Sequence, residues 1–266
     1  KDLMKKYNFA DCCFSVNFGK EEELYKDFLS AEGHNPCQSI KISDFSDIAA
    51  TSYGVEYVSG GFERFFRCKM NPTAMMFADG EWKNIKICRG ENGEFSEELV
   101  ITAVYSRLCR ENTMLLHASF VDVKGNGIIF AGPSGIGKTT QAQLWEKYRS
   151  AEIVNGDKAF LKISDNKVFA YGTPWKGSSP YCLNKKADVK GIVVLRQSKE
   201  NSLRKLSVTE ATGLFLPHVF MPNWDTSATD CLLDTFDRII KKVPVWLLEC
   251  RPDREAVEIT ENAILR

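Results

Sequence analysis

The chain has 266 residues, room for one or two domains of roughly 150 residues and for a sizeable core that needs no disulfide staples. Lysine plus arginine number 35 and aspartate plus glutamate 35, and a net charge of zero speaks against a general nucleic-acid binder or a membrane-surface protein while leaving room for a local cationic site. Hydrophobic residues at 44% and charged residues at 26% place the chain among ordinary globular proteins, not disordered or fibrous ones.

The nine cysteines, Cys12, Cys13, Cys37, Cys68, Cys88, Cys109, Cys182, Cys231 and Cys250, form no C-x-x-C pair. The three histidines, His34, His117 and His218, stand at no zinc-site spacing from them. The expectation is therefore a set of reduced thiols in a cytoplasmic protein. No stretch reaches the roughly 18 apolar residues that would cross a bilayer. The chain opens on Lys1 in place of methionine, so native or tag sequence upstream is allowed for.

In chain order, the leading region reads as short strands at Cys13–Phe18, Gly54–Val58, Arg64–Cys68 and Ile85–Cys88, broken by glycine- or asparagine-containing turns. From Ser96 to Asn112 the period becomes helical, with Leu99, Val100, Ala103, Val104 and Leu108 on one face. Two β-branched runs, Leu115–Val123 and Ile128–Ala131, flank Lys124-Gly125-Asn126-Gly127 and predict a hairpin. A helix is expected over Gly137–Tyr148, strands over Glu152–Ile163 and Val168–Tyr171, and a strand over Lys190–Leu195. Helices over Val208–Leu216 and Ala228–Lys241 and a strand over Val245–Glu249 complete the pattern. Helix and strand alternate without a βαβα rhythm, so the expected class is α/β with a mixed sheet. The expected division is a β-rich N-terminal region over residues 1–95, serving substrate recognition or support, and a nucleotide-binding domain over residues 96–266.

Gly132-Pro133-Ser134-Gly135-Ile136-Gly137-Lys138-Thr139 matches G-x-x-x-x-G-K-[ST] between a strand and a helix, with Thr140 next. By average residue usage such a match arises by chance on the order of once in a hundred chains of this length, so a glycine-rich turn with an incidental lysine is the poorer reading. The loop amides and the helix N-terminus suit a polyphosphate, Lys138 its terminal phosphates, and the Thr139 hydroxyl a Mg²⁺ ion. ATP and Mg²⁺ are thus the expected ligands. Ile153-Val154-Asn155-Gly156-Asp157 ends an apolar run in a carboxylate suited to Mg²⁺ contact or to accepting a proton. Asp157 alone would read as a turn residue, and the loop upstream gives it the functional reading.

His117 through Val123, the glycine turn, the loop and Ile153–Asp157 together resemble the catalytic core of HPr kinase/phosphorylase and the wider phosphoenolpyruvate-carboxykinase-like group of P-loop proteins. The resemblance runs from about Leu115 to Gly177. It implies a phosphoenolpyruvate-carboxykinase-like P-loop fold and an active-site role for His117, and it matches Asp157 to the second of the family's paired acids. Gly156 occupies the first acidic position, so the work of two carboxylates falls on Asp157 or recruits another group. Tyr171-Gly172-Thr173-Pro174-Trp175-Lys176-Gly177 is similar to the G-T-P-W-x-G turn of HPr-kinase-like proteins, some associated with peptide modification. It reads either as a site lining with Lys176 near phosphate or as a Pro-Trp packing turn.

For His117 a backbone-bonded core residue, a proton relay and a γ-phosphate contact stay open, and its place in the motif favours the site. Arg196 and Arg251, at strand ends, read as solvated surface charges before they read as arginine fingers. Trp145, Trp175, Trp224 and Trp246 have no base-stacking spacing and are taken as core. The expected activity is an ATP- and Mg²⁺-dependent kinase, His117, Lys138 and Asp157 catalytic and Thr139 and Asp157 holding the metal. Its expected partner is a serine or threonine hydroxyl of a peptide or protein, with no nucleic acid and no membrane, and a homo-oligomer is left open. The alternatives are a nucleotide-binding regulator without transfer, or a kinase for a free amino acid or sugar.

Overall fold

The computed structural model describes residues 3–30, 34–44, 49–50, 56–57, 61–91 and 93–266. The chain divides into two compact units, Lys1–Leu108 and Cys109–Arg266.

In the first unit, Ala10 and Asp11 both take positive φ and turn β1 (Lys5–Phe9) back into β2 (Cys12–Val16), a two-residue hairpin of the kind whose twist suits antiparallel strands. A short helix α1 (Glu22–Tyr25) follows, then β3 (Gln38–Ser43) and the two-residue strands β4 (Ala49–Ala50) and β5 (Glu56–Tyr57), which pair with each other. Most of the expected strand at 54–58 lies outside the described residues. Then come β6 (Arg64–Arg67), β7 (Met75–Ala78), β8 (Asn84–Cys88) and the helix α2 (Glu97–Leu108). The six-stranded sheet runs β1-β2-β3-β8-β7-β6, with parallel pairs at β2/β3 and β3/β8. Tyr7, Phe9, Phe14, Phe18, Tyr25 and Phe28 fill one aromatic cluster, in which Phe18 and Tyr25 stack at 3.7 Å.

By its contacts α2 groups with the first unit, so the two compact units divide after Leu108. The apolar face of α2 packs on β3, β7 and β8, and the buried Gln38 side chain of β3 donates to the Ala103 carbonyl at 3.0 Å and to the Trp82 carbonyl at 2.8 Å. Helical periodicity shows that a face is apolar; it does not name the sheet that face will cover.

The second unit opens with β9 (Thr113–Val123), which turns through Lys124 and Gly125 into β10 (Asn126–Ala131) as the expected antiparallel hairpin. The helix α3 (Lys138–Arg149) follows, with Lys138, Gln141, Ala142 and Trp145 buried at helical spacing. Next are β11 (Glu152–Asn155), β12 (Lys158–Ser164), β13 (Lys167–Gly172), β14 (Lys186–Gln197), β15 (Ser202–Lys205), α4 (Val208–Phe215), α5 (Thr226–Lys242), β16 (Val245–Cys250) and α6 (Arg254–Ile264). The eight-stranded sheet runs β10-β9-β12-β13-β14-β16-β15 with β11 added on β9, and β10 also pairs in parallel with β14. The ring β10-β9-β12-β13-β14 therefore closes on itself. One face packs on α4 and α5 through Leu116, Ile129, Val194, Phe215 and Phe236; the other packs on α3 and α6 through Phe130, Trp145, Val193 and Val257. The fold is of the expected mixed α/β class.

The single strand expected over Glu152–Ile163 is two strands lying along the same neighbour. β10 and β11 both pair with Phe120–Asp122 and so take opposite edges of β9, and after a break at Gly156-Asp157 β12 resumes along Thr113–His117. Trp145 and Trp175 are fully buried as expected, whereas Trp224 is 39% exposed and is not a core residue. Trp145→Ala removes a side chain wedged between α3 and the sheet beside Phe130, and the expected cost is about 3–5 kcal/mol in the urea midpoint of the second unit; a loss below about 1 kcal/mol would contradict this packing.

Candidate active site

The site begins at the β11/β12 break. The Asp157 carbonyl accepts the Ala118 N–H at 2.9 Å, which holds the kink against β9. The Asn155 carboxamide, fully buried, fixes the kink from inside: its Oδ1 accepts the N–H groups of Asp157 and Lys158 at 2.8 and 2.9 Å. Its Nδ2 donates to the Thr173 carbonyl at 2.9 Å, and the Thr173 hydroxyl in turn donates to the Lys158 carbonyl at 2.9 Å. The Thr173-Pro174-Trp175 turn is thereby tied to the kink, and Trp175 is buried edge-on against Phe160 at 5.8 Å. Of the two expectations for this turn the packing one describes it: Trp175 is buried, none of Tyr171–Gly177 lines the adjoining cavity, and the residues that do are the following Ser178, Ser179 and Pro180. Lys176 is exposed and is not among the lining residues.

On β9, His117 is the one residue between Met114 and Asp122 that is not buried. It pairs with Lys158, and its Nε2 lies 3.3 Å from Asp157 Oδ1, while Lys158 Nζ donates to Asp157 Oδ2. The hydrogen bond from His117 holds the Asp157 carboxyl down at about 2, against the opposing effect of burial and with further help from Lys158. Asp157 is therefore an anion throughout the neutral range.

The loop folds as its glycines require. Gly137 caps α3 at φ +111, a conformation closed to most side chains, and turns the amides of the first helical turn toward the same space. Lys138 Nζ donates to the Gly132 and Pro133 carbonyls, both at 3.0 Å, and burial pushes its ammonium below the usual lysine value while the Asp157 charge pulls it back. The Thr139 and Ser119 hydroxyls donate to the Gly156 carbonyl at 3.3 and 3.0 Å. A cavity of about 400 Å³ is lined by His117, Ser134, Lys138, Thr139, Gly156 and Asp157 together with Ser178 and Ser179, so residues from separate strands, the loop and the turn converge on it.

A second cavity of about 350 Å³ shares Gly135, Gly137 and Thr140 with the first and extends past Ile136 and Gln141 to Leu195–Ser198 and Cys250–Pro252. Arg196 and Arg251 line this cavity, where they are paired with Glu249 and with Asp253 and Glu255. They are not on the Lys138–Asp157 side, which removes them as charge-neutralising fingers at that point.

Two features of the site were not legible in the chain. His218 stands at the end of a 3₁₀ turn one residue before Val219, which bridges Leu116, and so is brought beside His117; burial and the charges of Lys138 and His117 pull its imidazole below the usual value. Gly156 is explained by Ser179, whose Oγ would lie 2.0 Å from a Cβ at position 156. No spacing rule could have paired either set.

The mixed α/β fold with this loop and cavity is similar to the HPr kinase-like proteins. The family model described as SynChlorMet cassette protein ScmC matches residues 95–253, and the chain belongs to that family. HPr kinase/phosphorylase of Clostridium tetani is 30% identical over 150 residues, 56% of this chain and 46% of that protein. HPr kinase/phosphorylase of a Thermoanaerobacter species is 28% identical over 154 residues, 56% of this chain and 47% of its own. The chain thus spans about half the length of the curated relatives it matches. Among solved structures, the Hpr(Ser) kinase/phosphatase of Coxiella burnetii aligns with a TM-score of 0.35 at 12% identity, over 57% of this chain and 97% of that one. No described helix is long and apolar enough to cross a membrane.

Two outcomes follow for the kink. A depressed carboxyl stabilises the fold above the ordinary value of 3.8 and loses that contribution as pH falls through about 2, so Asp157→Asn should flatten the acid limb of a stability-against-pH curve between about pH 4 and 2, by about 2 kcal/mol; an unchanged limb would show the carboxyl unpaired. Gly156→Ala forces a methyl onto Ser179 and should cost about 1–3 kcal/mol, most of it recovered in the background of Ser179→Gly. Equal costs in both backgrounds, by urea titration, would deny the contact.

Proposed function

We propose that the protein is an ATP- and Mg²⁺-dependent phosphotransferase that moves the γ-phosphoryl group to a hydroxyl, a serine or threonine of a peptide or protein. The observation that carries this reading is the convergence of Lys138, Thr139, His117 and Asp157 on one cavity beside the loop. The triphosphate lies along the loop amides from Gly132 to Thr140, and the adjoining cavity between α3 and β14/β16 takes the nucleoside. The donor set fits Mg²⁺: one hydroxyl, Thr139, and one carboxylate, Asp157, face the same space, and no group of three or more His, Cys, Asp or Glu forms a protein-only cage among the described residues. When bound, the ion supplies charge neutralisation to the phosphates.

The chain's own residues do the rest. Lys138 leaves the Gly132 and Pro133 carbonyls for the terminal phosphates and offsets charge that develops on the transferred group. A carboxyl held at about 2 accepts protons poorly at neutral pH, so Asp157 serves the metal and orients His117, and His117 takes the proton of the acceptor hydroxyl. Transfer of this kind depends on alignment and charge more than on covalent chemistry, so two ionisable groups and the loop suffice.

A second reading, a nucleotide-binding regulator without transfer, is favoured by Gly156, where Ser179 fills the space a second carboxylate would need. Isothermal titration with ATP and Mg²⁺ should show binding that weakens tenfold or more in Lys138→Ala, since a charge-assisted contact of about 1.5–3 kcal/mol is lost. Equal binding by both proteins, or none by either, would sink the nucleotide site. γ-Labelled ATP with serine-containing peptides then separates the readings: transfer to a hydroxyl, reduced roughly 10²–10⁴-fold in His117→Ala, supports the enzyme, and label that stays on ATP supports the regulator.

A further inference from the structure

We propose that the turn after Trp175 carries an internal phosphoacceptor, with the Ser179 hydroxyl taking the γ-phosphoryl group of a nucleotide bound on the loop. The inference rests on the nucleotide-site reading above and goes beyond it. Ser179 lines the same cavity as Lys138, His117 and Asp157. Its Oγ packs on the Gly156 α-carbon so closely that a Cβ there would lie 2.0 Å away, and the Gly156 carbonyl is the group that receives the Thr139 hydroxyl at 3.3 Å. A seryl oxygen, the loop threonine and the Asp157 carboxylate are therefore gathered on two consecutive residues of the kink.

The turn is folded onto that carboxylate. Gly177 has φ +57, and a Cβ on it would meet Asp157 Oδ2 at 2.7 Å. Ser179 accepts the Tyr181 N–H at 3.2 Å, which orients the oxygen, and its N–H donates to the Lys176 carbonyl at 3.0 Å. Lys176, Gly177, Ser178 and Pro180 are exposed, so the turn can shift without opening the core. A hydroxyl already inside the cavity needs no encounter step, which gives it the advantage of an intramolecular reactant.

The chemistry balances without an additional reactant. A bond forms between Ser179 Oγ and the γ-phosphorus, the bond from that phosphorus to the β,γ-bridging oxygen breaks, and ADP leaves with the electron pair. The hydroxyl proton passes to His117 and then to solvent. The phosphoserine dianion is left beside Lys138, the cation that lines the cavity, while Lys158 stays paired with Asp157.

The test is incubation of the full chain with ATP and Mg²⁺, followed by intact mass measurement and phosphopeptide mapping, with nucleotide binding measured on the same samples. The expected result is one added phosphoryl group on Ser179, formed at a rate independent of protein concentration, and absent from Ser179→Ala and from Lys138→Ala. Nucleotide bound with no phosphoserine would overturn this inference and leave the nucleotide site standing, whereas no nucleotide bound would overturn both. Phosphate on Ser178 or elsewhere, or a rate that rises with protein concentration, would overturn the assignment of Ser179 as an internal acceptor. Because the wild-type map decides the question, misfolding of a variant cannot rescue the proposal.

Discussion

The site depends on a broken strand. β11 and β12 lie along β9 as one edge would, but the ladder is interrupted at Gly156-Asp157, where the Asp157 carbonyl still accepts the Ala118 N–H while the Gly156 carbonyl and the Asp157 side chain turn to the site. An uninterrupted antiparallel ladder would alternate their side chains between the two faces of the sheet and commit their backbone groups to β9. With the break, the Gly156 carbonyl is available to Thr139 and Ser119, and the Asp157 side chain is available to His117 and Lys158. The buried Asn155 makes the break stable, because its carboxamide replaces the ladder bonds that the kink gives up.

Charge in the cavity is arranged around a single anion. Asp157 is bracketed by His117 and Lys158, and Lys138 is near enough for its own titration to be affected. The result is a cationic surround in a chain of zero net charge. Such an arrangement attracts an anionic ligand locally without making the whole surface sticky to nucleic acid or lipid. The cost of burying Lys138 is offset by the loop carbonyls it now donates to, and phosphate oxygens can replace these as acceptors.

Gly156 leaves no hole at the position where the resemblance led to an expected carboxylate. Ser179 from the turn after Trp175 fills the volume there, and the buried Trp175 and the Thr173–Asn155 bonds anchor the start of that turn. A neutral hydroxyl thus stands in the place of a charge beside Asp157. Two adjacent carboxylates would repel each other and would need a cation to hold both ionised; one carboxylate with an imidazole and an ammonium does not.

Local rules were enough for what depends on neighbours in the chain. The β9–β10 hairpin, the loop that opens α3, and the helices α4 and α5 follow from turn residues, glycine placement and periodicity, and all stand within a few residues of their expected bounds. Lys138, Thr139, His117 and Asp157 were legible as candidates because motif spacing survives in one dimension. What the tertiary structure alone decided is pairing between distant segments. It divided one apolar run into β11 and β12, assigned α2 to the first unit, set His218 beside His117 and placed Ser179 against Gly156. The physical reason is that sequence pattern specifies which face of an element is apolar and where a chain can turn, whereas the partner of that face is chosen by the packing of the whole unit.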